Sequence, residues 1–207
     1  MATTTGETTT GETTTGGLRE RKKEATRRAL HEAAMRLAVE HGLDEVTVEA
    51  IADAAGVSRR TFSNYFAGKE DALLYSDEQR MRRLVETFAS RPAGESAWAA
   101  LRASFHVLLA EQGEPDPQWA AQARLARAHP SVLARQLGHY ATFERSLADL
   151  IADRDGLPSG SLRSRAMAGA FISTLRLAAH IWIDNQPPRP LGEVADELFE
   201  EMASPFR

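Results

Sequence analysis

The segment Val46–Leu74, VTVEAIADAAGVSRRTFSNYFAGKEDALL, decides the fold. Its spacing predicts a helix, a tight turn and a second short helix, with a third helix starting behind Gly68-Lys69. That is the layout of a helix-turn-helix, whose second helix lies in the DNA major groove. Thr47 caps the first helix through its hydroxyl. Val48, Ile51, Ala52 and Ala55 share one face at helical spacing. Gly56 supplies the positive φ that the turn requires. Ser58 is the N-cap of the next helix. Phe62 and Phe66, four apart, point inward. Arg59, Arg60, Thr61, Ser63, Asn64 and Tyr65 are then left facing outward. Two guanidiniums, two hydroxyls, an amide and a phenol suit phosphates and base edges. The competing reading is an αα-hairpin that only packs.

Working outward, residues 1–17 repeat Thr-Thr-Thr-Gly-Glu and hold almost nothing apolar. Such a tail buries no core and is expected to be disordered. The segment Leu18–Arg28 carries Arg19, Arg21, Lys22, Lys23, Arg27 and Arg28. It reads equally as a solvated helix start and as an arm reaching phosphates or the minor groove. A first helix is expected from Leu18 or Lys22 to His41, striped by Leu30, Ala33, Ala34, Leu37 and Ala38, with Gly42 at its C′ position.

Beyond the motif the chain reads as helix throughout, with no strand pairs or hairpin turns. Expected helices run from Gly68 to Ser90, Ser96 to Gln112, Gln118 to Ala128, Ser131 to Asp153, Ser161 to Asp184 and Gly192 to Met202. The fold class is therefore all-α: a three-helix helix-turn-helix domain over 18–67 and a six-helix domain over 68–207.

Composition sets the outer limits. The 207 residues include no cysteine, so disulfides, thiol nucleophiles and thiolate metal sites are excluded. No run of 18 apolar residues and no apolar leader occurs, so neither a membrane span nor a signal peptide is expected, and a cytoplasmic location is. Net charge is −4, but residues 18–75 balance ten Lys or Arg against ten Asp or Glu. The basic residues cluster at 19–28 and at Arg59, Arg60 and Lys69, which leaves a local basic face on an acidic chain. No nucleophile elbow, dinucleotide fingerprint or phosphate-binding loop is present, since Gly68-Lys69 is followed by Glu70. His106, His129, His139 and His180 lack metal-binding spacing. An enzyme is not expected, and no metal or cofactor is implied.

TRRALHEAAMRLAVEHG, VTVEAIADAAGVSRRTFSNYF and GKEDALL, within residues 26–75, resemble the DNA-binding domain of the TetR family of bacterial repressors. The segment RTFSNYFAGKEDAL also resembles members grouped with redox-cofactor or acyl-group regulation, without identifying an effector. The family resemblance implies a homodimer joined by the last two helices, where Ala166, Gly169, Ala170, Ser173 and Ala178 would permit close approach. It also implies a small-molecule pocket in the C-terminal domain, whose occupation swings the fourth helix and parts the recognition helices. These must lie about one DNA turn apart, ~34–36 Å, to dock together. By the same resemblance, Thr47, Tyr65 and Lys69 match phosphate-contacting positions. Ser58 and Thr61 match positions that touch backbone or bases. Two departures stand out: Arg60 replaces a usually small residue and Ser63 a usually aromatic one. An arginine at 60 reaches a guanine edge, and Arg59, Arg60 and Asn64 are the candidates for base readout.

The pocket is expected to be apolar and to take a hydrophobic effector, with Trp98, Phe105, Trp119, Tyr140, Phe143 and Phe171 as candidate lining. For any single one of them, plain core packing is the stronger reading. His106, Arg124, His139 and Arg176 are candidate polar anchors. The functional expectation is a repressor that binds a palindromic double-stranded operator and is released by its ligand. The alternatives are a ligand-dependent activator and a helical ligand sensor without an operator.

Overall fold

The computed structural model describes residues 12–114, 120, 123–124, 127–185 and 189–203, with side chains from Gly17 onward. Among them there are helices and no strands: α1 Glu12–His41, α2 Val48–Ala54, α3 Arg59–Ser63, α4 Lys69–Ser90, α5 Ala97–Gln112, α6 Pro130–Arg154, α7 Leu162–Asp184 and α8 Leu191–Ala203. The helix expected over 118–128 lies partly outside the described residues; those described within it are helical. The chain divides into two compact units between Leu73 and Leu74, inside α4 and not after residue 67.

In the first unit, α1 begins at Glu12, inside the Thr-rich stretch expected to be disordered. Helix propagation adds one hydrogen bond per residue fixed, so a strong helix extends into neighbours whose sequence carries no apolar stripe. At the other end Gly42, at φ 80°, donates its N–H to the Ala38 carbonyl and stops the helix. A single 3-10 turn, Leu43–Glu45, leads to α2. Leu30, Ala33, Ala34, Leu43, Ile51, Ala52, Phe62 and Phe66 are buried. The Phe62 and Phe66 rings sit 5.8 Å apart and tilted.

The second unit is built on long helices around an aromatic stack. Phe171 and Phe199 lie parallel with centroids 5.3 Å apart, and Trp98 meets both edge-on at 6.2 and 6.1 Å. Such pairs contribute about 0.5–1.5 kcal/mol beyond their buried area. Ser96 caps α5 by accepting from the Ala99 N–H at 3.3 Å. By length and composition α7 is apolar enough to cross a bilayer, which the absence of an 18-residue apolar run did not indicate. Its Met167, Ala168, Phe171, Ile172, Ala178 and Trp182 are instead buried in this core. Apolar length marks a core helix as readily as a membrane span.

Candidate functional site

The turn between α2 and α3 follows from hydrogen bonds between near neighbours. Thr47 Oγ1 accepts from the Ala50 N–H at 3.1 Å and starts α2. At its end the Val57 N–H bonds to the Ala52 carbonyl and the Gly56 N–H to the Asp53 carbonyl, a Schellman closure with Gly56 at φ 67°. Ser58 Oγ then accepts from the Thr61 N–H at 3.0 Å and shares a hydrogen bond with the Thr61 hydroxyl at 2.8 Å. Each of the three breaks in direction is thus made by the residue the sequence places there.

This geometry turns Arg59, Arg60, Ser63 and Asn64 to the surface, with Thr61 and Tyr65 half-buried beside them. Thr47 and Ser58 are exposed as well, but their oxygens already serve as caps. Arg59 Nη1 lies 2.9 Å from Glu49, both well exposed. An exposed pair of this kind contributes little, so Glu49 holds the Arg59 guanidinium only weakly. Arg60 forms no ion pair among the described residues. The Arg27 guanidinium lies over the Tyr65 ring, 5.6 Å from its centroid, and brings the basic part of α1 to this surface.

Lys69 has a role that spacing did not reveal. Its Nζ donates to the Leu43 carbonyl at 2.8 Å and the Val46 carbonyl at 2.9 Å. Those carbonyls stand at the first residue and the C-cap of the 3-10 turn, so Lys69 ties the start of α4 to the α1–α2 connection. His31 Nδ1 donates to the Ala72 carbonyl at 2.8 Å and holds the same turn of α4 against α1. An ammonium has three donors. Two are committed here.

The second unit contains a cavity of about 500 Å³. Met81, Phe105, Leu108, Leu109, Ile172 and Leu175 form its apolar lining. Asp77, Arg80, Gln136, Tyr140, Arg176 and His180 are on its polar lining, with Arg127 and Glu114. Asp77 is paired with Arg80 and accepts from the Gln136 amide at 3.1 Å. Arg127 lies 2.8 Å from Asp184, whose carboxyl the Arg127 hydrogen bond holds below the ordinary Asp range. Glu114 accepts from the Leu191 N–H at 2.8 Å. Burial, and then the charge of Asp77, raises the Tyr140 phenol far above its ordinary value against the opposing pull of Arg176 and Arg80, so it stays protonated. Burial first, then Arg127 and Arg176, lower the His180 imidazole against the opposing charge of Asp184.

Of the aromatics put forward as lining, Phe105 and Tyr140 line this cavity. Trp98 and Phe171 belong to the aromatic stack of the core instead. Phe143 is half-buried and away from the cavity lining, and Trp119 lies outside the described residues. Of the anchors, Arg176 faces the cavity. Arg124 donates to the Ile183 carbonyl, and His106 lies 3.0 Å from Asp196 on the surface. His139 is half-buried on α6 and is not part of the lining. Asp77, Arg80, Gln136 and His180 were missed. One clue was present: Ile172, Leu175, Arg176, Ala179 and Ile183 form a helical stripe in which a single arginine interrupts apolar positions.

Comparison with known proteins agrees with this division. Residues 30–75 match the family described as bacterial regulatory proteins, tetR family, and residues 95–207 match the MftR C-terminal domain. The HTH-type transcriptional regulator TcmR of Streptomyces glaucescens is 31% identical over 173 residues, covering 80% of this chain and 76% of its own. The putative mycofactocin biosynthesis transcriptional regulator MftR of Mycobacterium tuberculosis is 24% identical over 170 residues, covering 80% and 84%. Among solved structures, the TetR-family repressor FadR of Thermus thermophilus in complex with lauroyl-CoA is 28% identical, with a TM-score of 0.57, covering 85% of this chain and 92% of its own.

Proposed function

The chain belongs to the TetR family of bacterial transcriptional regulators, and on that premise we propose a repressor that binds a palindromic operator as a homodimer. A small ligand with a large apolar part enters the cavity of the second unit and releases the DNA. The observation that carries this reading is α4. Its first turn is held by Lys69 and His31 against the helix-turn-helix, and its later residues Asp77, Arg80 and Met81 line the cavity. One continuous helix therefore meets both partners. A ligand that favours one placement of α4 shifts the population of dimers able to dock.

Readout is assigned to Arg59, Arg60 and Asn64, with Ser58, Thr61 and Ser63 at the groove and Thr47, Tyr65 and Lys69 on the backbone. The dimer is assigned to α7 and α8. On α7, Leu162 is 81% and Leu177 48% exposed, and Ala166 and Ser173 between them are exposed as well. This small and apolar stripe suits close helix approach, with half-buried Gly169 and Ala170 at its edge. Ala178 is taken from that set, because it is buried within its own unit. α8 turns Glu193, Glu197, Glu200 and Glu201 outward and would flank the contact. The cavity volume suits a drug-sized or acyl-type molecule, and the lauroyl-CoA bound by the Thermus FadR supports an acyl-type one. The place of action is the cytoplasm.

The test is a pull-down of fragmented genomic DNA on the purified full chain, followed by sequencing. Enrichment of one short palindrome supports the reading. Uniform, salt-sensitive recovery of all fragments would leave a ligand-binding protein without an operator.

A further inference from the structure

The charges around the cavity balance in number, Arg80, Arg127 and Arg176 against Asp77, Glu114 and Asp184, but not in placement. Among its lining residues Arg80 is matched by Asp77 and Arg127 by Asp184. The remaining carboxylate, Glu114, is engaged by the Leu191 N–H. Arg176 has no carboxylate partner among the described residues. Its guanidinium lies 5.4 Å from the centre of the Tyr140 ring. A cation–π contact uses none of the guanidinium's N–H groups in a hydrogen bond, and two of them on one edge can receive an oxyanion in bidentate fashion. A half-buried cation beside an apolar wall is costly until an opposite charge arrives.

The neighbours sharpen the choice. Tyr140 remains a neutral phenol, so it donates and does not compete for Arg176 as an anion. His180, one turn along α7, is lowered by burial first and then by Arg127 and Arg176, against Asp184, so it carries no positive charge of its own to this end of the cavity at neutral pH. A cationic or neutral ligand would leave Arg176 unpaired. The apolar lining from Met81, Phe105, Leu108, Leu109 and Leu175 leaves space for a chain and offers it no polar partner.

From this we propose that the ligand is an anionic amphiphile, with its carboxylate or other oxyanion on Arg176 and its chain against the Leu108–Leu175 wall. The proposal rests on reading the cavity as the effector site and adds the charge of the effector and the residue that selects it.

The test uses the full chain at neutral pH and two probes of equal chain length below micelle formation, laurate and dodecan-1-ol, by isothermal titration calorimetry. Laurate should bind about tenfold or more tighter than the alcohol, as expected for one charge-assisted hydrogen-bonded pair. Arg176→Gln should remove that preference by weakening laurate and leaving the alcohol nearly unchanged, and Arg176→Lys should keep part of it. Equal affinity of the unmodified protein for acid and alcohol overturns the proposal without any variant, while leaving the effector-site reading in place. A full preference in Arg176→Gln overturns the assignment to Arg176. Binding of neither probe overturns the amphiphile and the effector-site reading together.

Discussion

The turn between α2 and α3 is closed by contacts between near neighbours, whereas the cavity of the second unit is assembled by contacts between distant ones. Thr47 bonds three residues ahead, as does Ser58. Across the cavity helices, Asp77 meets Gln136 at a separation of 59 residues, Arg124 meets Ile183 at 59, and Arg102 meets Asp196 at 94. Short-range bonds follow from residue type, since a hydroxyl or a glycine acts on its own turn of chain. Long-range ones depend on how whole helices pack, which periodicity leaves open. The surface that meets DNA is therefore written locally, and the ligand's surroundings are not.

The largest expected effect tests whether the two units fail separately. Phe62 is 1% exposed, and Phe62→Ala should cost the first unit about 3–5 kcal/mol. Scanning calorimetry should show an early transition for that unit, with laurate binding in the second unit retained. Loss of ligand binding alongside would break the comparison.

Next is the readout. Arg60→Ala should cost about 1–3 kcal/mol on the specific operator and little on random DNA, relaxing specificity at one base pair. Equal losses on both would remove Arg60 from base recognition and leave it a phosphate contact.

Lys69 separates two roles that sequence alone merges. Lys69→Met strips the Leu43 and Val46 carbonyls of their donor and should cost about 1–3 kcal/mol in thermal unfolding, with affinity for all DNA reduced alike. If the third N–H also meets a phosphate, the slope of log affinity against log salt falls by about one. An unchanged melting temperature would show that the latch does not contribute.

A smaller loss, about 1–2 kcal/mol, is expected for Gly56→Ala, because a Cβ at φ 67° enters the left-handed region. Chemical denaturation gives the value directly, and a neutral result would mean the turn relaxes to another conformation.

The mildest effect concerns pH. His180 is depressed below its ordinary 6.5 by burial, Arg127 and Arg176, with Asp184 opposing. Its folded-state value lies below the unfolded one, so on acidification the unfolded chain takes the proton first. Stability of the second unit should fall as pH drops below about 6.5 until the folded-state value is passed, and above about 6.5 His180 should contribute no pH dependence. Thermal melts of His180→Gln should lack that part of the slope; an identical pH profile would contradict the assignment.

What was legible follows the same division. The caps Thr47, Ser58 and Ser96 and the terminator Gly42 stand where residue type placed them, and α4 and α5 end at Ser90 and Gln112 as expected. The start of α1 at Glu12 was not legible, because residues 12–17 carry no apolar stripe and the helix reaches them by propagation alone. Trp98 and Phe171 were put forward for their size, but size does not say whether a ring turns to a cavity or to Phe199. Lys69 was read as a phosphate contact from the family resemblance, and nothing in the sequence shows that its side chain also reaches back 26 residues to Leu43.

The central claim is that two copies of this chain hold one specific duplex through their α2–α3 units. Sedimentation of the full chain with the palindromic duplex recovered from genomic DNA, against a scrambled duplex of equal length at the same salt, tests it most directly. The account predicts an even number of chains per duplex and an affinity about 10³-fold or more above the scrambled one. A single bound chain, or equal affinity for both duplexes, would contradict it.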